Sequence, residues 1–90
     1  MPRQYKTSKE FYRILIKLEK KDKQLYENLF NKMSEVLNNP DIEHYKNLRY
    51  DMKEFKRVHV GHFVLVFRFD KMANLIFFSD FNHHDKIYKK

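Results

Sequence analysis

Apolar residues along this chain keep two different rhythms, and the change between them divides the sequence. From Phe11 to Leu37 they recur every three or four positions, whereas from Phe55 to Phe81 they alternate with polar residues or crowd them out. The first rhythm belongs to helices with one buried stripe, the second to strands. Phe11, Ile14, Leu15 and Leu18 fall at i, i+3, i+4 and i+7 and predict a first helix. Ahead of it stands Thr7-Ser8-Lys9-Glu10, a capping box in which the Thr7 hydroxyl accepts from the Glu10 amide. A charged run over 19–23 interrupts the stripe and predicts a turn, with Asp22 placed to cap a second helix. That helix gathers Leu25, Tyr26, Leu29, Phe30, Met33, Val36 and Leu37 on a broad apolar face. It should end at Asn38-Asn39-Pro40, because proline has no N–H for the helical ladder and disfavours helical backbone in the residue before it. A link this short predicts an antiparallel helix hairpin.

The strand half can be read to the level of register, because the chain has a single glycine, Gly61. In a two-residue loop made of Gly61 and His62, glycine at the first central position suits a type II′ turn, whose backbone needs positive φ there. Val60 then opposes Phe63, His59 opposes Val64, Val58 opposes Leu65, Arg57 opposes Val66, and Phe55 opposes Arg68. Side chains alternate faces, so Val58, Val60, Phe63, Leu65 and Phe67 share one side and should meet the helices. The other side collects Arg57, His59 and Arg68 around Val64 and Val66. A third strand is predicted over 75–81, apolar on both faces, and residues 3–6 predict a short first strand. Between helices and hairpin, 41–52 forms a polar connection in which Ile42, Tyr45 and Leu48 are the anchors. The fold class is α+β, a helix hairpin packed on a small antiparallel sheet, and 1–90 is expected to form one domain.

Composition changes this picture little. Hydrophobic residues make up 42% and aromatics 17%, enough for a core although 34% of the chain is charged. The absence of cysteine removes disulfides and thiolate metal sites and points to a reducing compartment. No apolar run approaches the roughly 18 residues of a membrane span, and the first residues lack the apolar core of a signal peptide. A cytoplasmic protein without a membrane partner is the expectation. Net charge is +7, which favours polyanionic partners such as nucleic acid. The charge is spread along the chain and marks no one segment as a binding site.

All five histidines, His44, His59, His62, His83 and His84, follow the helices, and all but His44 fall in the hairpin and the tail. Histidine is suited to general acid–base work because its ordinary pKa of about 6.5 leaves both forms available near pH 7. His83-His84-Asp85 raises the question of a metal, but adjacent residues of an extended chain point to opposite faces, so no shared ion and no cofactor is expected there. A nucleophile elbow and a glycine-rich phosphate loop are both missing. The histidine, arginine, lysine and tyrosine side chains that remain can take a 2′-hydroxyl proton, neutralise a crowded phosphate and protonate a leaving oxygen. RNA cleaved in that way needs no metal.

The order of these elements, the loop from Asn39-Pro40 to Asn47-Leu48-Arg49, the hairpin Arg57-Val58-His59-Val60-Gly61-His62-Phe63 and the ending His84-Asp85-Lys86-Ile87-Tyr88 together resemble the RelE/ParE superfamily of toxins from type II toxin–antitoxin systems. The resemblance spans nearly the whole chain and implies a strongly curved sheet. It implies a ribosome-dependent mRNA endonuclease that needs no metal, neutralised in a hetero-oligomer by a cognate RelB-type antitoxin. Many such enzymes carry an arginine where Val64 stands here. The hairpin and tail are instead similar to the histidine-rich, YafQ-like branch, which implies catalytic roles for His59, His84, Tyr88 and Arg57. That branch has an acidic residue at the hairpin tip, where this chain has His62. Lys56, Arg68, Lys53, Arg49 and His62 are the expected RNA contacts. Two other readings stand beside this one. A ParE-type protein would poison DNA gyrase without catalytic histidines, and a plain RNA-binding module would stack bases on its aromatics.

Overall fold

The computed structural model describes residues 3–47 and 54–88, the last by its backbone alone. Leu48, Arg49 and Lys53 lie outside the described residues. Among the described residues, five strands form one sheet in the order β1-β5-β4-β3-β2, with β1 at Gln4–Thr7, β2 at Lys46–Asn47, β3 at Phe55–Val60, β4 at Phe63–Asp70 and β5 at Leu75–His83. Helices α1 (Lys9–Lys21) and α2 (Lys23–Asn38) cover one face, and a short α3 (His84–Tyr88) follows β5. β1 runs parallel to β5, and the other neighbours are antiparallel.

The helix hairpin forms as its periodicity predicts, with two changes: the turn expected over 19–23 shrinks to Asp22, because α1 runs to Lys21 and α2 begins at Lys23, and the first cap moves. Ser8, rather than Thr7, caps α1: its hydroxyl accepts from the Phe11 amide at 3.0 Å, while Thr7 completes β1. The same hydroxyl donates to the Ser79 carbonyl at 2.7 Å, which ties the start of the helix to β5. Asp22 caps α2 through the Leu25 amide at 3.1 Å. Two aromatics of the expected α2 stripe lie outside the buried core: Phe30 is 40% exposed, and Tyr26 packs edge-on against it at 4.8 Å. The stripe is therefore narrower than composition alone implies.

The hairpin register is the predicted one at every pair. Gly61 has φ +62, and among the described residues only Asn74 joins it with positive φ, so His62 keeps negative φ. That pattern, positive first and negative second, is the type II′ turn. The apolar face of the hairpin meets Phe11, Leu29, Met33 and Val36 from the helices, and Ile42 closes the core from the connecting loop. Phe67, Leu65, Ile76 and Phe78 are fully buried there.

β5 is longer than predicted and contains a bulge. Val66 pairs with Asp80 and Phe67 with Phe78, so Ser79 is the extra residue. The insertion resets the alternation. Phe78 and Phe81 both face the helices despite their odd spacing, and Asp80 and Asn82 join the face of Arg57 and His59.

Candidate active site

The face turned away from the helices is partly covered. Val64 and Val66 are almost wholly inaccessible because Ile87 of α3 sits over them, with Phe55 packed at the side. Around this small apolar patch run two cross-strand rows. His59, Val64 and Asn82 form one, and Arg57, Val66 and Asp80 form the next toward the open end of the hairpin. His59 is exposed and Arg57 half-buried.

The tail closes back on the hairpin tip. Directly after β5 the chain turns into α3, and the His84 amide donates to the His62 carbonyl at 3.0 Å. The His84 ring approaches the same carbonyl, with Nδ1 at 3.4 Å, while Nε2 lies 3.0 Å from an Asp85 carboxylate oxygen. His83 lies with its ring centroid 4.6 Å from that of His84, and His62 stacks on His83 at 6.3 Å. Three imidazoles and one carboxylate therefore meet where the type II′ turn touches the last strand. The extended-chain expectation for His83 and His84 fails here, because the strand ends between them and the helix brings their rings together.

The other predicted residues divide by position. Arg68 is on the expected face, but it pairs with Phe55 at the open end of the hairpin, and its guanidinium lies over Phe77 at 5.2 Å and Phe55 at 5.8 Å. Four residues along β4 separate it from Val64, about 13 Å at strand rise, which puts it at the other end of the polar face from His59. Lys56 is on the opposite side of the sheet. It pairs with Phe67, is 7% exposed, and directs Nζ to the Tyr45 carbonyl at 3.3 Å and Asn47 Oδ1 at 3.1 Å. Glu43 is 3.7 Å from the same nitrogen. Its charge is thereby committed to holding the connecting loop on β3, a buried cation being stable only when paired and hydrogen-bonded. Arg49 and Lys53 lie outside the described residues, as does the Tyr88 side chain.

Sequence reasoning weighed Asp85 only as a metal ligand and missed Asp80, Asn82 and the burial of Ile87. Asp85 stood beside two histidines and had a signal. The bulge hid Asp80 and Asn82, and nothing in a five-residue helix announces which residue it buries.

Comparison with known proteins gives a consistent neighbourhood. The family model described as ParE toxin of type II toxin-antitoxin system, parDE, matches residues 5–88. A candidate toxin of Methanocaldococcus jannaschii named RelE4 is 49% identical over 79 residues, covering 87% of this chain and 82% of its own. The toxin–antitoxin complex RelBE2 of Mycobacterium tuberculosis contains a chain that superimposes with a TM-score of 0.75 at 16% identity, covering 93% of this chain and 100% of that one. The YoeB/ParE toxin of Agrobacterium tumefaciens gives 0.79 at 11% identity, over 90% and 98%. At such identities the solved structures speak for the fold.

Proposed function

The chain belongs to the RelE/ParE superfamily of toxins from type II toxin–antitoxin systems, and from that premise we propose that it is a ribosome-dependent mRNA endonuclease neutralised by a RelB-type antitoxin. The observation that carries this reading is the position of His84. It is fixed by the hairpin tip, oriented by Asp85, and only two residues beyond Asn82, which shares a cross-strand row with His59. A ParE-type binder does not require that arrangement.

In the proposed reaction the 2′-oxygen forms a bond to the adjacent phosphorus and the bond to the 5′-oxygen breaks, leaving a 2′,3′-cyclic phosphate and a 5′-hydroxyl. His59 takes the 2′-hydroxyl proton, and His84 supplies the proton that the 5′-oxygen needs. Arg57 stands one row away and neutralises charge on the phosphate, which lowers the barrier most when the donor is already oriented. Tyr88 assists at the end of α3. Arg68, on its aromatic platform, holds the RNA strand farther along, and His62 lines the tip. Lys56 drops out of the contact set because its ammonium is occupied. Among the described residues no helix is long and apolar enough to cross a membrane, and a ribosomal target puts the work in the cytoplasm.

The family description itself, a ParE toxin, favours a second reading, inhibition of DNA gyrase. One experiment separates the two. The chain is added to translating ribosomes and, in parallel, to gyrase with supercoiled DNA, with single-turnover mRNA cleavage measured for wild type, His59→Ala and His84→Ala. Each variant should cut about 10²–10⁴-fold more slowly, the usual size of an acid–base contribution, and bind ribosomes nearly as well. Full activity in the double variant would remove the histidine mechanism, and gyrase inhibition without cleavage would establish the second reading.

A further inference from the structure

The geometry points to a binding site for a borderline divalent cation of the zinc class, formed by His83, His84 and Asp85. It rests on the placement of these side chains and not on the ribonuclease reading. One donor atom from each residue lies within 4.8 Å of the others. His84 Nε2 is 3.0 Å from one Asp85 oxygen, and His83 Nδ1 is 3.6 Å from the other. A tetrahedral zinc ion with bonds of about 2.0–2.1 Å spaces its ligands about 3.3 Å apart, so the widest pair of this set has to close from up to 4.8 Å.

The second observation concerns the far side of the His84 ring. Metal-bound histidine almost always donates its other ring N–H to a carbonyl or carboxylate, which fixes the tautomer and aims the free nitrogen at the ion. The His62 carbonyl lies 3.4 Å from His84 Nδ1 and is placed for that role. A proton on Nδ1 leaves the Nε2 lone pair facing Asp85. His83 Nδ1 is likewise an acceptor in this space: it receives the Asp85 amide at 3.3 Å, a long bond that an ion would replace. All three side chains are at least 39% exposed, so solvent-facing rotation can bring their donor atoms together on an ion. Two imidazoles and one carboxylate suit zinc better than magnesium, which prefers an all-oxygen shell. Three protein ligands leave a fourth position to water.

Occupancy has a consequence for the site as a whole. The ion and a transferable proton compete for His84 Nε2, so a zinc-loaded chain should lose its acid while keeping its fold.

The test uses untagged protein, with Zn²⁺ titrated by calorimetry and the histidine ring resonances followed by NMR. Wild type should bind one equivalent, reversibly with EDTA, and give no saturable signal with Mg²⁺. Zn²⁺ should shift the His83 and His84 resonances and leave those of His44 and His59 in place. His84→Ala and Asp85→Ala should each weaken binding more than about 10-fold, since loss of even an outer partner costs 10–100-fold, while His44→Ala should not. The NMR readout on wild type stands if a variant fails to fold. Absence of saturable Zn²⁺ binding, shifts confined to His44 or His59, or wild-type affinity in both ligand variants would overturn the site. RNA is absent from every arm, so cleavage results bear on the proposed function alone.

Discussion

The two faces of the sheet are built to different standards. One is sealed by two helices of 13 and 16 residues, which bring Phe11, Leu29, Met33 and Val36 onto Leu65, Phe67, Ile76 and Phe78. The other is covered by a helix of five residues that leans on Val64 and Val66 through Ile87. Burial scales with the area removed from water, so stability comes mainly from the first face. The second retains just enough apolar contact to hold a turn of helix. Polar chemistry sits beside that minimal cover, where His84 can be fixed without being buried. A fold of this size thus separates the residues that hold it together from those proposed to act, and the separation can be tested.

The largest effect is expected from the sealed face. Phe67 is fully buried between Tyr45 and Phe78, with ring centroids 5.4 and 6.3 Å away. Phe67→Ala should cost about 3–5 kcal/mol, the lost transfer energy plus a cavity, and chemical denaturation measures it. On a small domain with a typical total of 5–15 kcal/mol, much of the stability would go. A loss under about 1 kcal/mol would mean that the sealed face does not carry the fold.

Lys56 tests the same face at its rim. Its ammonium bridges the Tyr45 carbonyl and Asn47, and hydrogen bonds to a charged group are worth about 1.5–3 kcal/mol. Lys56→Ala should destabilise the chain by about 2 kcal/mol. Were Lys56 an RNA contact instead, the variant would keep its denaturation midpoint and lose ribosome affinity in a salt-dependent way.

Ile87 tests the thin cover. Ile87→Ala removes the side chain that seats α3, and because among the described residues its apolar cluster is limited to Val64, Val66 and Phe55, the loss should fall at or below the ~2 kcal/mol lower end for buried aliphatic truncations. The effect on cleavage should exceed what this number suggests, since α3 positions His84 and Asp85. A helpful readout is the His84 ring resonance, which should move to an exposed, averaged position. Unchanged resonance and activity would show that the tail is held by something other than Ile87.

The same contrast explains what could be read from the chain. The hairpin register was legible to the residue because a period of two and a lone glycine admit one solution, and the helix stripes were legible because heptad-like spacing runs over several turns. Three things were not. The Ser79 bulge is an insertion into the alternation, so a strand apolar on both faces gave no sign that Phe78 and Phe81 share one side until β4 paired with them. Lys56 was legible as basic but not as buried, since its partners come from a loop that no local pattern positions. The pairing of His83 with His84 depends on a strand ending between two adjacent residues, which identical neighbours cannot signal. Each failure occurs where tertiary contacts override local periodicity.

The smallest stability effect belongs to the turn, and it sharpens the comparison most. Gly61 has φ +62, and a Cβ built there would meet nothing within 4 Å. Any penalty at this position is therefore conformational rather than steric crowding. A β-branched residue resists positive φ most, and asparagine tolerates it, so Gly61→Val should cost about 1–2 kcal/mol and Gly61→Asn less. The turn does more than reverse the chain, however: the next residue, His62, offers its carbonyl to the His84 amide at 3.0 Å. Strain relieved by tilting that peptide would withdraw the carbonyl from His84. Gly61→Val should then lower cleavage by more than its stability loss explains at a temperature where both proteins are fully folded, while Gly61→Asn tracks wild type. Cleavage measured well below the melting transition, beside denaturant midpoints for the three proteins, decides it. If activity falls only in proportion to the unfolded fraction, the tip is a simple reversal, and the position of His84 must be set by α3 alone.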